Sequence, residues 1–507
     1  MKRFSKSKGY CRVSELLRRL GHPSSAYVHK FVLAVSLAGC LLVLTAACAV
    51  PVGADASVPP LPMAPIVSEP MVPTPVPGTV AAAPVLPVRY TLAQSIEQAL
   101  RTSPRIGAYA YRTLSANMDA GIAYTQMFPS ATLSAGRSYV RNESYSGLVD
   151  PDYVDQHVDT LSVQLYQPLF AGMTLLNGYQ KALLNEELAK AEQQGTEDQV
   201  VMDVQVTFFD LVKTRGEVRS LQSAVKRLQS SSEAVQAYER VRLAPYVDVL
   251  QTEVDLADAQ QQLSKTENEV ATLKIRLNML LGLPPEAPVE YLGEFASDVP
   301  DLPWSLEQCL ERARLQRPDL LVKRKAMAMA EKEAKIAYGR YFPRIDLQGG
   351  YISRDVTYDS TVGIGAVDRD YKSDYWTGGI TLQWRFFESG RTQLEYQRAL
   401  HQIATLREQL RETESLVSSQ IHATFLSISE ARQRIVTTQK AVGEAAEGQA
   451  RSQVRFEARV GTVVELLDAQ ARLTRAETNH LQALADFRQA MARLTYAMGE
   501  KRTFEQL

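Results

Sequence analysis

The chain is poor in the residues that build catalytic and redox chemistry. Its 507 residues contain 4 cysteines and 6 histidines. His22, His29, His157, His401, His422 and His480 form no H-x-x-x-H or similar ligand pair, so no metal site is indicated. There is no P-loop, no G-x-G-x-x-G after a strand pattern and no G-x-S-x-G elbow, and neither a cofactor nor a catalytic residue is assigned. Cys309 is the one cysteine beyond residue 48, which excludes a disulfide framework; beside Leu310 in an apolar helical turn it reads as core. An excess of one charge is missing too. The 56 Lys+Arg against 57 Asp+Glu leave no strongly basic face and argue against a nucleic-acid partner.

What is present begins with an export pattern. The first 30 residues carry 8 Lys/Arg and one acidic residue, Glu15, ahead of an apolar run from Phe31 to Ala47, the order of a secretory signal. Leu37-Ala38-Gly39-Cys40 and Leu44-Thr45-Ala46-Ala47-Cys48 both resemble a lipobox, and Ala54-Asp55-Ala56 an ordinary cleavage site. Cys48 is the preferred acylation point, since cleavage at Cys40 would leave an apolar stub behind the lipid. Residues 1–48 are therefore expected to be the signal. Residues 49–88 read as a tether, because 10 of the 24 prolines fall between Pro59 and Pro87 almost without charge, a composition that favours extended polyproline II.

The remainder is a tandem duplication. Thr91-Leu92-Ala93-Gln94 and Ser305-Leu306-Glu307-Gln308 each open a helical segment, ending at Ser103-Pro104 and Arg317-Pro318. Phe128-Pro129 recurs as Phe342-Pro343 at the same offset of 214, whereas Leu165 with Leu382, Phe208 with Phe425 and Gly282 with Gly499 stand 217 apart. The change of offset places an exposed loop after each Phe-Pro, where insertions are tolerated. Each repeat exceeds the period of a solenoid several-fold.

Within each repeat, period-2 alternation gives two strands, at about 131–141 and 160–170 and again at about 345–353 and 376–387. An ordinary antiparallel sheet packed on helices alternates in the same way. The stretches 176–241 and 393–460 contain no proline, and at 1.5 Å per residue each makes a rod on the order of 100 Å long. Val200, Val204, Phe208 and Leu211, matched by Val417, Ile421, Phe425 and Ile428, mark a narrow buried seam. Each rod turns at an equivalent point, Arg242-Leu243-Ala244-Pro245 and Arg459-Val460-Gly461-Thr462. The expected helix hairpins thus cover about 176–281 and 393–498. If the strands cross a bilayer no edge can stay unpaired, and four cannot close where at least about eight are needed, so identical chains must pool them.

These residues resemble the TolC-type outer-membrane efflux family from Tyr90 to Glu500. The resemblance rests on the doubled openings Tyr90-Thr91-Leu92 and Trp304-Ser305-Leu306, the doubled Phe-Pro, Gln167-Pro168-Leu169-Phe170, and the two tips with the residues that follow them. It implies a mainly α fold with transmembrane β. Long α-helical coiled-coil hairpins would form a periplasmic tunnel, below a trimeric transmembrane β-barrel with four strands per protomer. The two efflux repeats would be 89–293 and 300–507. The protein would be a passive homotrimeric channel in a Gram-negative outer membrane, with no enzymatic activity, fed by an inner-membrane pump or exporter through a periplasmic adaptor. Arg242, Leu243, Ala244, Arg459, Val460, Gly461 and Thr462 would be the adaptor-contacting tips, with Arg242 and Arg459 standing where the family usually has glycine. Glu465 and Asp468 fall on the acidic motif that lines the family's periplasmic aperture. The competing reading is a secreted or periplasmic coiled-coil scaffold or adhesin without a pore.

Overall fold

The computed structural model describes residues 88–144, 152–295, 302–360 and 371–500. The expected signal with Cys40 and Cys48, and the proline-rich stretch up to residue 87, lie outside the described residues. In chain order the elements are β1 (Val88–Tyr90), α1 (Leu92–Thr102), α2 (Pro104–Thr125), β2 (Ser130–Ser144), β3 (Asp152–Ala171), α3 (Thr174–Arg240), α4 (Tyr246–Leu280), β4 (Val289–Tyr291), α5 (Leu306–Gln316), α6 (Pro318–Gly339), β5 (Arg344–Ser360), β6 (Tyr371–Gln383), α7 (Arg391–Glu457) and α8 (Val463–Met498).

The duplication is written into the caps. Thr91 and Ser305 each accept a hydrogen bond from the backbone N–H of the glutamine three residues on, while the Gln94 and Gln308 side chains accept one from the cap backbone N–H, a reciprocal capping box. Ser103 and Arg317 end α1 and α5 in extended backbone, and Pro104 and Pro318 start the next helices, where a missing N–H costs nothing. α3 and α7 are both 67 residues long. α3 packs along α2, α4, α6 and α8, and α8 also along α7.

Two cores follow the repeats. Val200, Val204, Phe208 and Leu211 are buried with Ile96, Leu277 and Tyr291. Val417, Ile421 and Ile428 are buried with Phe487, Met491 and Leu494, whereas Phe425 is only half-buried. Cys309 is fully buried in the second core, and burial pushes its thiol pKa up, which suits a packing role. The first core also carries an element that residue patterning misses. β1 pairs in parallel with β4, Tyr90 opposite Tyr291, and the Tyr291 hydroxyl donates to Asn278 Oδ1 at 2.7 Å.

β2, β3, β5 and β6 form one antiparallel sheet in that order. Several strand boundaries differ from expectation, β2 running on to Ser144 and β6 starting at Tyr371 among them. β3 starts at Asp152 and β5 runs on to Ser360, through sequence whose polarity reads as loop, because acids of β3 face arginines of β2 and Asp355 of β5 faces Lys372 of β6. Arg137 pairs with Asp159 at 2.6 Å and Arg141 with Asp155 at 2.7 Å. β6 stops at Gln383, opposite Arg344 where β5 begins. Residues 384–387 alternate but have no partner strand, and Trp384 Nε1 donates instead to the Tyr341 carbonyl at 3.1 Å.

Where sheet meets rods the backbones touch. Gly172 has φ +60, and a Cβ on Gly339 would fall on its carbonyl oxygen and on Thr174. We expect Gly339→Ala to destabilise by about 2 kcal/mol or more. Gly443→Ala, on α7 with nothing within 4 Å of the added carbon, should stabilise by about 0.5–1 kcal/mol. Thermal melts of the detergent-solubilised variants check both, and a rise for Gly339→Ala would contradict the packing.

Candidate functional site: a two-faced sheet and two helical tips

Cross-strand register sorts the sheet residues onto two faces. One face carries the in-register rows Leu382–Ile345, Ile380–Leu347, Trp376–Tyr351–Val163–Leu133 and Leu161–Ala135. The other carries Thr132, Ser134, Gln164, Ser162, Gln348, Thr377 and Thr381. At its base Tyr166 donates to Asp346 Oδ1 at 2.6 Å and Arg344 pairs with the same carboxylate at 2.9 Å. The apolar face is the open one, with Trp376 81% and Ile380 68% exposed. On the polar face Val158, Ser162, Asp346 and Val356 are buried, as on the concave side of a curled sheet. No described helix packs substantially on either face, so the sheet is not the helix-covered kind.

The apolar rows run along β5 from Ile345 to Ser353. Eight residue-to-residue steps of about 3.3 Å, tilted about 40°, rise about 20 Å, close to the apolar band of about 25 Å on transmembrane barrels. The band ends in one charged row across all four strands, Arg137, Asp159, Asp355 and Lys372. Among the described residues no helix is long and apolar enough to cross a membrane.

At the other end of the rods both hairpins turn by the same device. Leu243 N–H reaches Tyr238 O at 2.8 Å and Arg242 N–H reaches Glu239 O at 2.7 Å; Val460 and Arg459 repeat these bonds to Arg455 and Phe456 at 2.9 and 3.0 Å. This is the Schellman pattern, which needs a left-handed residue and usually takes glycine. Here Arg242 and Arg459 fill it, each at φ +60, at a cost of about 1–2 kcal/mol each. The Arg459 guanidinium lies 5.3 Å from the Tyr238 ring, and Val235, Val249, Phe456, Leu466 and Leu467 bury one another between the two hairpins. Ala244 packs partly against that cluster, whereas Leu243 and Val460 are exposed. The structure thus brings the seven tip residues together at one end of the rods.

Glu465 and Asp468 lie in the first two turns of α8, where Thr462 caps by accepting the Glu465 N–H at 3.2 Å. A helix N-terminus favours carboxylates. Each also has a cation in its own chain, Arg455 at 3.6 Å from Glu465 and Arg472 at 2.7 Å from Asp468. Sequence reasoning missed both arginines; the i,i+4 spacing of Asp468 and Arg472 was the available signal. Among the described residues no group of His, Cys, Asp and Glu converges as a metal site.

Comparison with known proteins bears on this architecture. The family model described as outer membrane efflux protein matches residues 95–283 and again 309–500, once per repeat. The chain belongs to the outer membrane efflux protein family. Protein CyaE of Bordetella pertussis is 24% identical over 414 residues, 81% of this chain and 84% of its own length. The alkaline protease secretion protein AprF of Pseudomonas aeruginosa is 24% identical over 391 residues, 71% of this chain and 75% of its own. The Campylobacter jejuni CmeC outer membrane channel superimposes with a TM-score of 0.69 at 14% identity, covering 80% of this chain and 85% of that one. This outer membrane efflux protein therefore has the fold of TolC-like channels and is an outer-membrane channel of efflux or secretion systems. The family is one of channels and not of enzymes, and the pore-less scaffold reading of the rods gives way to it.

If the apolar face meets lipid, Ile380→Arg should cost about 2–4 kcal/mol of membrane stability, while Thr381→Arg, one residue on and facing the other way, should leave outer-membrane recovery near the parent level. Fractionation with quantitative blotting checks this; equal recovery of both variants would contradict the face assignment.

Proposed function

We propose that this outer membrane efflux protein works as a homotrimer in which three four-stranded sheets close into one barrel. The rods continue the barrel as a periplasmic tunnel, and the tips receive a periplasmic adaptor and, through it, an inner-membrane transporter. The duct is passive. The observation that carries the reading is the sheet itself. It has two free edges, β2 and β6, and three antiparallel steps between them. β2 and β6 therefore run in opposite directions, and copies joined β6 to β2 around an axis stay antiparallel throughout. Two efflux repeats, 89–293 and 300–507, would make each third of the wall.

At the tips, Arg242 and Arg459 keep strained backbone among exposed Leu243 and Val460, a surface suited to a partner with apolar and acidic groups. Thr462 and Gly461 lie beside them, with Ala244 seated in the cluster beneath. Glu465 and Asp468 would line the periplasmic aperture, six carboxylates around a threefold axis. Arg455 and Arg472 offset them within each chain, so the net charge at the opening is smaller than a count of acids implies. Lipid attachment at Cys48, or at Cys40, would add an anchor outside the barrel. The likeness to AprF, a protease secretion protein, favours a secretion role, and the likeness to CmeC the general duct.

Planar-bilayer recording tests this. The purified protein should conduct as an ohmic, cation-preferring pore, and Glu465→Ala with Asp468→Ala should lower cation preference and change conductance. A double variant matching the parent in both would remove these carboxylates from the aperture, and absence of any pore would overturn the duct.

A further inference from the structure

About 25 residues and fewer from the tips, α3 lies between α4 and α8, and the three helices line a half-open cavity of about 820 Å³. Its floor is a stripe of α3 that includes Glu217, Leu221 and Leu228; Asp255 and Asp258 come from α4, and Leu467 and Gln470 from α8. Acidic and aliphatic side chains share its lining.

Three observations bear on what the cavity accepts. First, among the described residues neither Glu217, Asp255 nor Asp258 makes an ion pair or a side-chain hydrogen bond, although Glu217 and Asp255 are partly buried. Partial burial weakens solvation of a carboxylate and favours a cationic partner. Second, Gln470 is 3% exposed. Its Nε2 donates to Ser231 Oγ at 3.0 Å, and its Oε1 accepts nothing. A buried carbonyl oxygen with no donor is an exception in native structures. Third, Leu221, Leu228 and Leu467 offer an aliphatic surface beside these acceptors. A small inorganic ion has no use for that surface, and no metal-binding group of side chains converges among the described residues.

We propose that the cavity binds an organic cation, a guanidinium or ammonium on an aliphatic stem, with Glu217 and Asp255 as counter-ions and Gln470 Oε1 as an acceptor. Such a group supplies positive charge and several N–H donors to the carboxylates and lays its stem on the leucines. Desolvation pushes the pKa of both Glu217 and Asp255 up, against the charge of Lys213 at Glu217 and with Asp258 adding to the effect at Asp255; a bound cation opposes that shift. The cations already nearby fill the role only in part. Lys213 lies 3.8 Å from Asp210 and its charge also acts on Glu217, while Arg475 lines the cavity from α8; neither makes an ion pair to the three acids, and Arg475 is the cation a ligand would displace from the cavity. The cavity is formed within one chain, so the inference does not depend on ring closure.

The cation's source is either a free amine or a basic side chain of a protein partner, and two probes separate them. Agmatine and an alanine-based helical peptide with one central arginine are titrated calorimetrically into the detergent-solubilised full-length protein. We expect at least one to bind. Glu217→Gln with Asp255→Asn should weaken it by about tenfold or more, the loss of a charged hydrogen-bonding partner. Arg475→Ala should tighten it, and 1-pentanol, a stem without charge, should give no saturable heat. Tighter binding of agmatine assigns a free amine, tighter binding of the peptide a partner's side chain. Circular dichroism of the variants controls for folding, and the gain in Arg475→Ala cannot come from misfolding. No binding of either probe at millimolar concentration, or an unchanged isotherm in the folded double variant, overturns the proposal.

Discussion

The backbone groups on the outer edges of β2 and β6 set the terms for the rest of the molecule. In hydrocarbon each unsatisfied N–H or C=O costs several kcal/mol, and these two strands are 15 and 13 residues long. One chain cannot satisfy them, because its curled sheet has four strands and the smallest transmembrane barrels have about eight. The sheet can enter a membrane only beside other sheets, and the antiparallel order of its edges makes another copy of itself a fitting neighbour. The two-faced register then sorts the side chains: rows of leucine, isoleucine and tryptophan on one face, hydroxyls and amides on the other, and on the proposed closure the first face would meet lipid.

The helical half answers a different constraint. Rods of 67 residues cannot be stabilised by propensity alone; packing of their apolar stripes must do it. The stripes of α3 and α7 are copies of one pattern, yet they are buried unequally. Phe208 is enclosed by Tyr291 of the small parallel ladder, with ring centroids 6.3 Å apart, whereas its counterpart Phe425 is half-buried. Duplication thus supplies two similar walls, and additions such as β1 and β4 make them distinct. At the tips the same turn is built twice with arginine in a left-handed position, and the cluster around Phe456 and Leu466 locks the two hairpins into one end.

Much of this was legible in residue order. Apolar periodicity and the absence of proline marked α3, α4, α7 and α8, capping residues marked α1 and α5, and alternation marked four strands. The failures have physical causes. Asp152 to Asp159 reads as loop because polarity is the usual sign of one, but opposite charges across a ladder stabilise strand. Trp384 to Phe387 reads as strand because alternation is blind to whether a partner is there. The three-residue strands β1 and β4 are too short to show a period, and their pairing joins positions 88 and 289. The arginines beside Glu465 and Asp468 were missed because one of them, Arg455, arrives from the opposite arm of the hairpin.

The central claim, that the edges of this sheet are satisfied by copies of itself in lipid, is most directly tested by native mass spectrometry of the mature protein extracted from outer membranes into mild detergent. The account predicts one dominant species of three chains that persists on dilution and aggregates when detergent is withdrawn. A single chain that stays dispersed in plain buffer would contradict it.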